Sequence, residues 1–442
     1  MPPILHLKPA EVDTNEKRSK YSVAVVGCGY KGIFYANAFA EAGFKVLCTD
    51  ADASILKKVA KGKTVFSMPD VETKLKNHIR TGRISVSGEL KKAISQSDII
   101  IIAITAKVDK QKKNDCAGLV NTCKQVGAAL HQGALVVYVG ISGLGFTEGT
   151  IKELLENTSG LKVGQDFGLA YNPLLTTSSS MANLDLTVAA ADKTSLEAAS
   201  TILKTVTKNV KEISDLKTAE IAVLFIVAKQ DANTALANEL AVFCESANID
   251  YFKVLTILGL DDPSFRPSIV EEESKDEAYL LLDSAENLNA KLRLPALARQ
   301  INEDMVKHAV NLTQDALRSC GKTLRRGRVA VLGVANLESA TGVFVKLIEQ
   351  KGAKVSLYDP TAKKEPMSSR VIKPRLNEAV EGADCIVILS GQEQFYHLNL
   401  KKLKALMKTP AVVVDLVGKF DPAQVETEGF IYTGLGRGND KK

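Results

Sequence analysis

The sequence predicts an α/β chain in three parts: strand–helix alternation, a helical middle, and strand–helix alternation again. Three observations carry this. Short apolar, β-prone runs recur between helical segments up to about residue 210; residues 216–248 then contain neither glycine nor proline; and four more apolar runs follow residue 328. Such runs are what parallel strands look like when helices cover both faces of their sheet. An uninterrupted helix of that length needs a partner surface along it.

At 442 residues the chain is long enough for two to four domains. The divisions expected are a flexible polar tail over residues 1–20, ending in NEKRSK, an α/β domain over 21–212, a helical domain over 213–320 and a second α/β domain over 321–442.

The first strand is expected at 22–26, stopping at GCGYKG. Ile33, Ala36, Phe39 and Ala40 then recur at helical spacing, and residues 45–48 give a second strand running out at Asp50. Further buried strands are expected in DIIIIAI at 98–104, ALVVYV at 134–139, DFGLAY at 166–171 and LTVAA at 186–190. The middle should hold helices over 216–248, 277–289 and 295–319, and is the expected surface of a homodimer. After the basic turn GKTLRRGR come VAVLGV at 329–334, KVSLYDP at 354–360, DCIVILS at 384–390 and AVVVDL at 411–416.

Composition removes several functions. The net charge is +6, but the lysine clusters Lys57, Lys58, Lys61 and Lys401, Lys402, Lys404 have no aromatic residues between them, so they read as solvated helix faces rather than a nucleic-acid surface. Seven cysteines, odd in number and without a CxxC pair, fit neither a disulfide framework nor a zinc site, and point to the reducing cytoplasm. His78, His131, His308 and His397 show no metal-ligand spacing. The longest apolar run, 99–105, falls far short of the roughly 20 residues a membrane span requires.

Chemistry first shows in VVGCGYKG. Gly27, Gly29 and Gly32 have the G-x-G-x-x-G spacing: the first permits a tight turn, the second admits a pyrophosphate to the backbone, the third lets helix and strand pack closely. The motif follows a predicted strand and opens a predicted helix, whose free N–H groups suit a phosphate. Asp50 lies about twenty residues on, where a carboxylate accepts from ribose hydroxyls and repels a 2′-phosphate. Gly27, Gly29, Tyr30, Lys31, Gly32 and Asp50 are therefore the expected site for NAD, in preference to NADP. The fold expected around them is a Rossmann domain.

Beyond the turn, TDAD at 49–52, KTAE at 217–220, NTALANELAVFCESANID at 233–250, KDEAYLLLDSAE at 275–286, ARQINEDM at 298–305 and VAVLGVA at 329–335 occur in an ordered series. Through these the chain resembles the UDP-glucose/UDP-N-acetylmannosamine (GDP-mannose) dehydrogenase family over nearly its whole length. The resemblance implies a nucleotide-sugar ligand in the C-terminal Rossmann-like domain and a place in polysaccharide precursor metabolism. It also implies oxidation of the sugar C6 hydroxyl to a carboxylate with two NAD, through a thioester on a cysteine. A lysine and an asparagine of the long helix, and an aspartate after the cysteine, are implied to stabilise the oxyanion and activate water.

Against that pattern the reacting centre is expected to be altered. Alignment on Lys275, Asp276 and Tyr279 puts Glu272 at the cysteine position, Ser274 at the following proline, and the acidic run EEE at 271–273 in place of glycines, read here as a solvated loop. Val223 and Val227 stand at the lysine and asparagine positions, and Leu174 at a glutamate; ITAK at 104–107 and Ser142-Gly143 replace segments near the nicotinamide. In the C-terminal domain the implied lysine-proline loop is shortened to NLESATG, and Val417-Gly418 replaces Arg-Asn. Asp276, Lys275 and Glu272 are left as catalytic candidates. The expectation is an NAD-dependent oxidoreductase with a diverged centre; the alternative is an inactive homologue serving as an NAD-binding regulator or scaffold.

Overall fold

A computed structural model describes residues 3–66, 68–174, 181–260, 265–269, 272–334, 339–360 and 372–438. Two parallel-type sheets organise it. The first holds eight strands: β1 (Ser22–Val26), β2 (Lys45–Thr49), β3 (Ile84–Val86), β4 (Ile99–Ile102), β5 (Leu135–Tyr138), β6 (Gly168–Tyr171), β7 (Asp185–Ala190) and β8 (Asn209–Ile213). Their spatial order is β8-β7-β6-β5-β4-β1-β2-β3. Only β6 and β7 pair antiparallel. Every residue of β4, β5 and β6 is buried. The run of four isoleucines in β4 fits a position with helices on both faces, each side chain contributing about 1.5–3 kcal/mol.

β1 takes Val26 opposite Thr49 of β2 on one side and opposite Ile102 of β4 on the other. The chain leaves β1 in one direction across the sheet and returns on the other side, so a crevice opens above its carboxyl end. The helix α1 (Tyr30–Glu41) starts there and buries Ile33, Phe34, Tyr35 and Phe39 in the core under the sheet.

The second sheet comprises β9 (Arg328–Leu332), β10 (Lys354–Tyr358), β11 (Cys385–Ile388), β12 (Val412–Asp415) and β13 (Ile431–Gly434). All are parallel, in the order β10-β9-β11-β12-β13. Along the chain, after β8 and before the second sheet's strands, come the helices Leu216–Ser246, Glu272–Asn287 and Arg293–Ser319, the helical middle that the sequence predicts. By packing, the described chain forms two compact units. One is Met1–Val227 with Tyr279–Ala290; the other is Ala228–Ala278 with Lys291–Lys442.

Three expectations are corrected. Residues 3–20 are not a loose tail: Ile4, Leu7 and Val12 join the core of the first unit, and the Leu5 N–H donates to the Gly133 carbonyl at 3.2 Å. Polar and charged residues make up most of that segment, but the few apolar residues are the ones that find the core. The acidic run is not a loop ahead of a helix, since the helix already begins at Glu272. Carboxylates in a first helical turn are favoured by the positive end of the helix dipole. Glu271 lies outside the described residues. Three strands were also not predicted: β3 and β8 of the first sheet and β13 of the second.

Among the described residues no helix is long and apolar enough to cross a membrane.

Candidate functional site

The turn after β1 is built by its glycines. Gly27 has a φ of +95°, a left-handed conformation that glycine adopts freely, and its N–H donates to the Thr49 carbonyl at 2.9 Å. A Cβ on Gly32 would lie 1.8 Å from the Gly27 carbonyl oxygen, so only glycine lets α1 come this close to the strand. A Cβ on Gly29 would meet nothing within 4 Å. Gly29 is also the N-cap of α1, and no side chain caps the helix there. The space beside Gly29 and the uncapped N–H groups behind it together form a cradle that a pyrophosphate fits.

Asp50 closes the turn from the β2 side. One carboxylate oxygen accepts the Cys28 N–H at 2.7 Å, the other the Asp52 N–H at 2.9 Å. Both oxygens are thereby aimed, with lone pairs left for ribose hydroxyls. Tyr30 stacks on Phe34 at 5.8 Å between centroids and meets Phe66 edge-on at 5.4 Å. Lys31 reaches the other way: its Nζ donates to Thr105 Oγ1 at 3.3 Å, just beyond β4. The structure thus gathers Gly27, Gly29, Tyr30, Lys31, Gly32 and Asp50 around one turn.

The catalytic candidates are on one short stretch. Glu272, Lys275 and Asp276 all fall within the first two turns of the helix Glu272–Asn287, with Glu272 and Asp276 four residues apart on one face. Asp276 is half-buried. The side chains of Glu272 and Lys275 lie outside the described residues. Further along, Ser284 Oγ accepts the Leu144 N–H at 3.2 Å, and Lys112 Nζ sits 4.8 Å above the Tyr279 ring.

On the long helix Val223 and Val227 are 3% and 7% exposed, and Leu174 packs against the first unit's core. The thiols offer no activated nucleophile among those whose ionisation is displaced. Burial pushes Cys116 up to about 11 and Cys123 to about 12, and raises Cys244 and Cys385. Cys28 is raised by its contact with Cys48 and by burial. A nucleophilic cysteine needs the opposite shift.

Two features escaped sequence reasoning. Glu220, in KTAE, accepts the Gly145 N–H at 2.5 Å and the Thr147 N–H at 2.7 Å, tying the loop after β5 to the long helix. An acid among apolar residues near a helix start was the available signal. In the second unit Asp415, fully buried, accepts from the N–H groups of Val417, Gly418 and Phe420 at 2.9–3.0 Å and from the Tyr432 hydroxyl at 3.2 Å. The loop after β12 is therefore held by the chain's own groups. Part of NLESATG, residues 336–338, lies outside the described residues.

Comparison with known proteins matches this architecture. Residues 21–187 match the NAD binding domain of the UDP-glucose/GDP-mannose dehydrogenase family, and residues 336–422 its UDP binding domain. UDP-N-acetyl-D-mannosamine dehydrogenase from Pyrococcus horikoshii is 25% identical over 94% of this chain and 99% of its own length. UDP-glucose 6-dehydrogenase TuaD from Bacillus subtilis is 24% identical over 94% and 93%. The solved structure of the Pyrococcus horikoshii UDP-D-ManNAc dehydrogenase superposes with a TM-score of 0.81 at 26% identity, covering 94% of this chain and 99% of that one. With the glycine turn, the NAD-binding and UDP-binding domains and the helical middle all in place, the chain belongs to the UDP-glucose/GDP-mannose dehydrogenase family, whose cofactor is NAD.

Proposed function

We propose that the chain oxidises an alcohol of a UDP-sugar in a two-electron step, without the cysteine-dependent second oxidation that the family resemblance implies. The observation that carries this is the pair of buried valines, Val223 and Val227, at the positions of an implied lysine and asparagine. An aliphatic wall cannot stabilise an oxyanion, and the raised thiols of Cys28, Cys116, Cys123, Cys244 and Cys385 support the same reading.

NAD supplies the hydride acceptor. The substrate's O–H proton passes to the Asp276 carboxylate as the C–H hydride leaves, and the product is a carbonyl compound. Glu272, one turn earlier on the same face, is the second carboxylate available to relay that proton, and Lys275 the adjacent cation. Gly29 would admit the cofactor phosphates, and Asp50 would hold its adenosine ribose. The sugar nucleotide is bound by the C-terminal unit, and its product serves as a polysaccharide precursor. The protein works in the cytoplasm as a homodimer, through the exposed Leu236, Leu240 and Phe243 at helical spacing on the long helix.

The experiment is to follow NADH absorbance with UDP-glucose, UDP-N-acetylglucosamine and UDP-N-acetylmannosamine, and to count NADH per sugar consumed. One NADH per sugar is expected. Two would restore the four-electron route; NAD binding by calorimetry without turnover would favour the alternative, an inactive homologue acting as a regulator or scaffold.

A further inference from the structure

We propose that the protein releases its product as a free carbonyl sugar nucleotide, which a separate enzyme must then draw off by a reaction that consumes the carbonyl group. This rests on the two-electron reading above, with the oxidised carbon taken as C6, and it gives that product a fate.

One face of the long helix carries the argument. Glu220, Val223 and Val227 follow one another at spacings of three and four, so they share one side of the helix. Glu220 orients that side, because its carboxylate accepts the N–H groups of Gly145 at 2.5 Å and Thr147 at 2.7 Å. Both belong to the loop after β5. β2 and β4 flank β1 on opposite sides, so with the adenosine half of a dinucleotide over β2 its nicotinamide half falls on the side of β4 and β5. The side of the helix turned to that loop continues as two buried valines.

An aldehyde gives up a second hydride only after its carbon has become tetrahedral again, by addition of a thiol or of water. The thiol route lacks an activated sulfur among Cys28, Cys116, Cys123, Cys244 and Cys385, all of them raised. The valines act against the water route. A gem-diol presents two hydroxyls where a carbonyl oxygen stood, and neither valine can donate to them or accept from them. The bound product is thereby kept as the carbonyl.

Each turnover then moves one hydride from C6 to NAD and releases the hydroxyl proton, leaving an aldehyde, NADH and a proton. At neutral pH this balance lies toward the alcohol. The product therefore does not build up by itself, and the reaction that follows must remove the carbonyl group.

Two measurements on the full chain test this. UDP-glucose oxidised at C6 to the aldehyde, with carbon-13 at that position, is titrated against the cofactor-free protein, and the carbon chemical shift separates carbonyl from gem-diol. In water the gem-diol predominates; bound, the carbonyl is expected to. Val227→Asn returns a polar side chain to the face and should raise the share of bound gem-diol. A gem-diol predominating on the wild type, or a share that Val227→Asn leaves unchanged, overturns the proposal. In turnover with NAD and the three UDP-sugars named above, NADH is expected to stall at a small fraction of the sugar. Added O-methylhydroxylamine should carry it on to one NADH per sugar, with the oxime found by mass spectrometry. A UDP-sugar carboxylate, or completion without the amine, also overturns the proposal. No NADH from any of the sugars, with the amine or without it, and no binding of the aldehyde would instead sink the two-electron reading beneath it, a distinct result.

Discussion

Glu220 Oε1 accepts the backbone N–H of Thr147 at 2.7 Å from a position only 2% exposed, which makes this carboxylate a buried link between the loop after β5 and the long helix. Burial raises its pKa above the ordinary 4.5, against the lowering by its hydrogen bonds with Thr147 and Gly145. A folded-state value above the unfolded one gives a stabilising contribution that is complete below about 4.5 and is lost as pH rises through the raised value. Denaturant unfolding of the wild type and Glu220→Gln across pH 4 to 8 checks this. The wild type's stability relative to the variant should fall as pH increases, and a constant difference would contradict it.

Gly29 and Gly32 should separate binding from folding. Gly29→Ala places its methyl group in open space, so stability should stay within about 0.5 kcal/mol while NAD affinity drops at least about tenfold. Gly32→Ala drives a methyl group to 1.8 Å from a carbonyl oxygen and should cost about 1–3 kcal/mol or more. Thermal unfolding paired with NAD calorimetry reads both.

The second unit holds a buried ion pair, Arg299 to Asp231 at 2.5 Å, with side chains 3% and 5% exposed. Asn302 also donates to Asp231, at 2.9 Å. Desolvation still raises the Asp231 pKa despite the charge of Arg299. Arg299→Met should cost about 3–5 kcal/mol because it leaves a buried carboxylate without its cation, and Arg299→Met combined with Asp231→Asn should recover part of that loss. Urea midpoints measure both.

Catalysis through Asp276 predicts that Asp276→Asn lowers turnover about 100-fold or more, with little change in NAD affinity. Equal turnover in the variant, followed by NADH absorbance, would move the proton acceptor elsewhere, with Glu272→Gln the next substitution.

The long helix exposes Leu236, Leu240 and Phe243, at 46%, 40% and 66%. If this face joins two copies, Phe243→Glu should convert a dimer into a monomer in size-exclusion chromatography with light scattering. An unchanged mass would place the interface elsewhere.

Much of this was legible in the sequence because parallel strands buried on both faces are uniformly apolar: β1, β4, β5, β11 and β12 lie inside the runs that predict them. The strands that escaped have weaker signals. β8 is NVKEI, with no residue fully buried, and β13 is IYTG at the chain's far end. At the site, the glycine spacing identified the turn because each glycine answers a local steric demand. Lys31 was legible as part of the motif, but its reach to Thr105 was not. Glu220 was similarly visible only as a motif letter, since its partners are backbone groups more than seventy residues earlier.

The family's NAD-binding likeness begins at residue 21, which makes Ser22 a tempting start for a trimmed gene. Such a product would lack Ile4, Leu7 and Val12 and leave their apolar berth on the first unit open to water. It should be recovered mainly in the insoluble fraction, and its failure would say nothing about the cofactor. The opening eighteen or so residues act as a seam, and a working recombinant has to keep them.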